Sequence, residues 1–183
     1  GNGDPDRAVA EPFGEVFLRR AIRCLLEGDV AGVRAAYLAT VDALRRRELT
    51  AFDVSSRVRL TKAPEAYAAV RATRRELPYE ALLAAGRPAW SVGERIRVYR
   101  VRGGGGAVVA PHGDDPRRDY DVDHYLHVLR ATFVARLARA FAPADFATVF
   151  ADADQLELFA APLAAIRPVL TPMGAGPMVI ATS

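Results

Sequence analysis

The chain has 183 residues, of which 51% are apolar and 26% charged, enough for one ordinary domain or one domain plus a tail and too apolar for global disorder. No apolar run approaches the roughly 20 residues that cross a bilayer, and the start Gly1-Asn2-Gly3-Asp4-Pro5-Asp6 lacks the basic head and apolar stretch of a secretory signal. The single cysteine, Cys24, excludes an internal disulfide and a thiolate zinc cluster and fits a reducing compartment, so the expectation is a cytoplasmic protein.

The formal charge of +3 is unevenly spread. Residues 1–42 carry 5 basic and 7 acidic side chains, residues 43–102 carry 14 and 6, and residues 103–183 carry 6 and 9. The middle third therefore holds a net +8, which attracts phosphate-rich partners over roughly 8–10 Å at physiological salt. A solvated, arginine-rich surface is the plainer alternative, because every basic residue except Lys62 is Arg in an Ala-rich chain.

Residues 1–12 read as a flexible lead. Phe13, Val16, Phe17, Ala21 and Leu25 follow helical spacing, and Gly28 marks the helix end. Asp29 then caps a second helix with Val30, Val33, Tyr37, Val41 and Leu44 on one stripe. From Asp53 to Lys62 the pattern predicts a short strand or extended arm. Pro64 and Pro78 each open a short helix. Glu94 to Arg102 alternates polar and apolar residues, as a half-exposed strand does. Gly103 to Gly106 make its turn, and Ala107-Val108-Val109 return as the partner.

Residues 121–141 give the strongest helical signal, with Val122, Tyr125, Leu126, Leu129, Phe133, Leu137 and Ala140 on one face. Ala131, Ala135 and Ala138 on the opposite face would admit a closely packed neighbour. Arg136 sits at the edge of the apolar stripe, where it would snorkel outward or pair with a carboxylate. Pro143 begins one more short helix, and a Pro-rich tail follows Phe150. The predicted fold is mainly α with a small antiparallel β-hairpin, an α+β arrangement. One domain would span 13–150, with a tail over 151–183.

Few patterns carry chemistry. Asp119-x-Asp121-x-Asp123 lacks the Gly and Glu that complete a calcium loop and reads as helix capping. His124 and His127 have no evident third ligand. The glycine run 103–106 is not followed by Lys and Ser or Thr, so it is a hairpin tip and not a phosphate loop. Cys24 reads as a buried, inert thiol. No active site assembles.

Two stretches resemble the thumb region of family B DNA polymerases. The first runs Leu60-Thr61-Lys62-Ala63-Pro64-Glu65-Ala66-Tyr67, then Pro78 and Ala81, then Gly93-Glu94-Arg95-Ile96-Arg97-Val98-Tyr99. It is similar to that family's leucine-x-lysine segment and its Gly-Asp-x-Ile-x-Tyr strand. The second is Asp121-Val122-Asp123-His124-Tyr125-Leu126 with Leu129 and Arg136, similar to an Asp-x-x-Tyr-Tyr-Leu segment opening a long helix. Glu94 replaces the family's usual Asp, and His124 stands where Tyr is common. The family's metal-binding segments, Asp-x-x-Ser-Leu-Tyr-Pro and Tyr-Gly-Asp-Thr-Asp, are absent from this sequence.

The resemblance covers residues 13–142. It implies the C-terminal thumb segment of a family B DNA polymerase, gripping primer–template duplex during replication or repair, and associated with the nucleoid. Palm and fingers would be its partners, and the magnesium ions would belong to the parent enzyme and not to this chain. A stand-alone, non-catalytic adaptor that tethers a sliding clamp to DNA is the alternative. A grip of this kind needs phosphate contacts and little base reading. Lys62 matches the family's lysine, and Arg57, Arg59, Arg95, Arg97, Arg74 and Arg75 are the other expected contacts.

In the tail, Gln155-Leu156-Glu157-Leu158-Phe159 resembles the pentapeptide by which bacterial polymerases hold their sliding clamp. Leu158 and Phe159 would fill an apolar pocket, Gln155 would hydrogen-bond at its rim, and Leu156 would rest on the surface. The competing reading is an amphipathic turn packed back on the domain.

Overall fold

The computed structural model describes residues 10–111, 115–152 and 163–170. Among them the chain is mainly helical with one small three-stranded antiparallel sheet. Its contacts divide it into two units, one built from 46–125 with the described residues up to 13, the other from 14–45 with the described residues from 126 onward.

The first unit holds the sheet, in the order β1 (Ser56–Arg59), β2 (Arg95–Arg100), β3 (Gly106–Val108). The predicted hairpin is β2–β3, and the segment expected to be a strand or arm joins it as β1. The glycine run turns the chain with Gly103 and Gly104 at φ of 90° and 97°, a conformation that side chains resist. Three short helices accompany the sheet: α3 (Ala51–Val54), α4 (Pro64–Val70) and α5 (Leu77–Ala84). Prolines in the first turns of α4 and α5 start them as the sequence predicts.

Because side chains alternate across a strand, Val58, Ile96, Val98 and Val108 share the face against which the helices pack. There they meet Leu60, Tyr67, Tyr79, Leu82 and Trp90. The polar tips in this cluster are satisfied. Tyr79 Oη accepts the Thr61 and Lys62 N–H groups at 3.0 and 2.9 Å, Trp90 Nε1 donates to the Lys62 carbonyl, and Tyr67 Oη donates to Glu80.

The second unit contains the helical hairpin α1 (Pro12–Leu26) and α2 (Val30–Arg45). Gly28 adopts φ 71° at the turn, and Asp29 Oδ1 accepts the Gly32 N–H, as a cap should. Phe17, Ala21 and Leu25 are buried as expected. Val16 is 45% exposed, because the buried stripe runs through Leu18 instead.

Val122–Ala140 is continuous but changes pitch. It begins as α6 (Val122–Val128), widens to a π-turn over Leu129–Phe133 and tightens to a 3-10 helix over Val134–Ala140. Leu129, Phe133, Leu137 and Ala140 are buried. Ala131, Ala135 and Ala138 are exposed, so the neighbour expected on their side is absent among the described residues. Arg136 sits 3.9 Å from Glu15 and lies over the Phe133 ring, an ordinary surface pairing.

Helix α7 (Pro143–Val149) ends on Arg34 of α2. Arg34 is 4% exposed and donates to the carbonyls of Thr148, Val149 and Ala151. A cation at a helix C-terminus is stabilised by the orphan carbonyls and the helix dipole. The tail is not all free of the domain: Ile166 and Leu170 are buried, and the Val169 N–H donates to the Ala140 carbonyl at 2.6 Å.

Candidate nucleic-acid interface

Sheet register decides where the arginines go. In the β1–β2 ladder Arg57 stands directly opposite Arg97, and Arg59 directly opposite Arg95. All four alternate with Val58 and Ile96, so they lie on the sheet face away from α4 and α5. Like charges placed directly across a ladder destabilise it. The register thus gathers four positive charges on one side of the sheet.

Arg97 is the best anchored of the four. Its guanidinium donates to Ser55 Oγ at 3.1 Å and lies 4.2 Å from the centre of the Phe52 ring. Burial, and then the nearby Arg57 charge, lowers its pKa from the usual arginine value. Phe52 stands on α3, which is fixed by a reciprocal cap: Asp53 N–H donates to Thr50 Oγ1, and Thr50 N–H donates to Asp53 Oδ2.

The chain after β3 borders the same face. Arg117 pairs with Asp115, donates to the Val108 carbonyl and lies over the Tyr99 ring. The Arg117 guanidinium and two backbone N–H groups hold the Asp115 carboxyl well below the usual carboxylate range, against the opposing effect of burial. Tyr99 Oη donates to Asp119 at 2.7 Å, and burial, followed by that hydrogen bond, pushes the phenol well up. Thr50, Phe52, Arg95, Arg97, Val109 and Arg117 are among the residues lining a cleft of about 1330 Å³.

The other three expected phosphate contacts lie apart from this group. Lys62 follows β1 on the helix-covered side, 2.8 Å from Glu76 and 5.8 Å from the centre of the Tyr79 ring. The Glu76 hydrogen bond raises its pKa. Arg74 and Arg75 are exposed on the link between α4 and α5. Several other cations of the basic segment serve the fold. Arg47 donates to the Arg118 and Tyr120 carbonyls, Arg71 pairs with Glu80, and Arg87 pairs with Glu94. The +8 of the sequence thus condenses into one sheet face and a smaller second cluster.

Phe52, Asp115 and Arg117 were not legible as members of the site, because only the sheet register and the crossing of 115–119 bring them together. Arg34 did carry a signal. Val30, Arg34, Tyr37, Val41 and Leu44 are spaced four and three apart, which places Arg34 on the buried stripe.

The remaining sequence candidates have local roles. Asp121 Oδ1 accepts the His124 N–H at the start of α6, and His124 packs edge-on against Tyr125. Burial pushes the Tyr125 phenol up to about 12. Cys24 is only partly buried, and that burial, followed by Asp29 and Glu27, raises its thiol pKa. Gln155, Leu156, Leu158 and Phe159 lie outside the described residues.

Among the described residues no three His, Cys, Asp or Glu side chains gather into a metal site, and no helix is long and apolar enough to cross a membrane. Asp119 is engaged by Tyr99 and Asp121 by its cap. Both carboxylates are thus committed to contacts within the fold. No family model matches this chain, and no curated protein matches it.

Proposed function

We propose that this chain grips a nucleic-acid duplex by its phosphates, as the thumb segment of a bacterial family B DNA polymerase. One observation carries the grip: Arg57 opposite Arg97 and Arg59 opposite Arg95 on the open face of the sheet. A face of cations suits an enzyme that must slide along any sequence, since phosphate contacts supply affinity and register but no sequence information.

The polymerase parentage is supported by the order of matching segments: the Lys62 stretch, the Ile96-to-Tyr99 strand, and the Asp121-to-Leu126 helix start with Arg136 farther on. In this reading bond-making belongs to the palm of the parent enzyme, with its magnesium ions. The segment 155–159 would hold the sliding clamp and keep the enzyme on DNA.

Fluorescence anisotropy with a labelled duplex across a salt series tests the grip. Four neutralised phosphates predict a slope of log K against log salt of about −4. A slope near zero overturns the reading.

A further inference from the structure

Phe52 is an aromatic ring left 47% exposed in a protein whose other large aromatic side chains are mostly buried. Single exposed apolar residues need no explanation, but this one has three neighbours that give it a use. It stands on a helix whose cap is closed from both sides, so its backbone is held. The planar guanidinium of Arg97 lies against it at 4.2 Å and is itself tethered to Ser55. It also lines the cleft on the arginine face, with Thr50, Arg95 and Arg117.

An aromatic ring beside fixed cations is the combination that holds single-stranded nucleic acid: bases stack on the ring while the backbone follows the charge. A base paired inside a duplex has both faces covered by its neighbours. An unpaired base is free to turn away from the helix stack and lay a whole face on the ring.

We infer that Phe52 is a stacking platform for an unpaired nucleobase where duplex meets single strand, with the adjoining phosphate held by Arg97 and Arg57. This rests on the duplex-grip reading and deepens it: the arginine face holds paired DNA, and Phe52 marks the edge of that pairing. The occupant is a nucleotide and not an apolar peptide, because the Arg97 guanidinium lies against the ring and Arg57 stands opposite Arg97 in the ladder.

The experiment compares two labelled DNA ligands of equal duplex length, one blunt and one with a short single-stranded extension, each bound to the full chain. Stacking of one base predicts at least about fivefold tighter binding of the extended ligand. Phe52→Ala should bring the two affinities together, and Phe52→Trp, which keeps a π-face, should preserve the preference. Equal affinities in the wild type, with salt-dependent binding of the blunt duplex intact, overturn the stacking platform and leave the grip standing. A Phe52→Ala protein that weakens both ligands but keeps the preference also overturns it, since Phe52 then serves only to position Arg97. Absence of salt-dependent binding to either ligand overturns the grip and the platform together.

Discussion

The two faces of the three-stranded sheet are made by alternate residues of the same strands, yet they obey opposite rules. On the helix-covered face, Val58, Ile96, Val98 and Val108 meet an aromatic and aliphatic cluster in which each tyrosine and the tryptophan also find hydrogen-bond partners. On the other face the ladder sets arginine against arginine. The first arrangement is what packing and hydrophobic burial favour. The second sets like charges directly across the ladder, which packing alone does not favour. A local conflict of this kind points to a site more directly than net charge does, because charge alone cannot separate Arg57 from Arg47 or Arg71, which serve the fold.

The contrast breaks most visibly on the packed side. Leu82→Ala opens a cavity in a fully buried cluster and should cost about 2–5 kcal/mol, read as a lower urea midpoint at unchanged m-value. A smaller loss is expected from Asp115→Asn, about 1–3 kcal/mol, because it weakens the hydrogen bonds to Arg117.

This second effect depends on pH with a definite sign. The folded-state carboxyl of Asp115 lies below its unfolded value of about 3.9. Its contribution is therefore complete above that pH and fades as pH falls toward the folded-state value. Urea unfolding of the two proteins should show a constant gap near neutrality that narrows from about pH 4 downward. A gap that instead widened in acid would assign the stabilisation to another group.

The smallest stability effect lies on the arginine face and has the opposite direction. Arg57→Thr removes one of two opposed cations and suits a strand, so the protein should gain about 0.2–1 kcal/mol. A loss of that size would mean that Arg57 supports the fold like Arg34, whose guanidinium closes the end of α7 through three carbonyls.

Much of this architecture is legible in the sequence. The alternation Arg95-Ile96-Arg97-Val98 marks the two faces of β2, while Tyr99 breaks it and is buried on the arginine side; Gly28, Pro64 and Pro78 punctuate the helices where the structure places them. Local patterns encode local structure. The arginine pairs needed more, because the register of β1 against β2 joins residues about 40 apart and is set by which face is buried. The sequence likewise gives no sign that Glu76, at the start of α5, reaches Lys62. The pitch change between Leu129 and Ala140 also left no mark in the apolar spacing, since one stripe serves all three helical forms.

The salt dependence of duplex binding by Arg57→Thr, measured beside the wild type, tests the role of the arginine face most directly. If that face holds the backbone, the mutant binds more weakly and its slope flattens by about 0.9, the share of one phosphate, while the fold is no less stable. Identical slopes and affinities for the two proteins would contradict it, and would return these four arginines to the ordinary solvated surface.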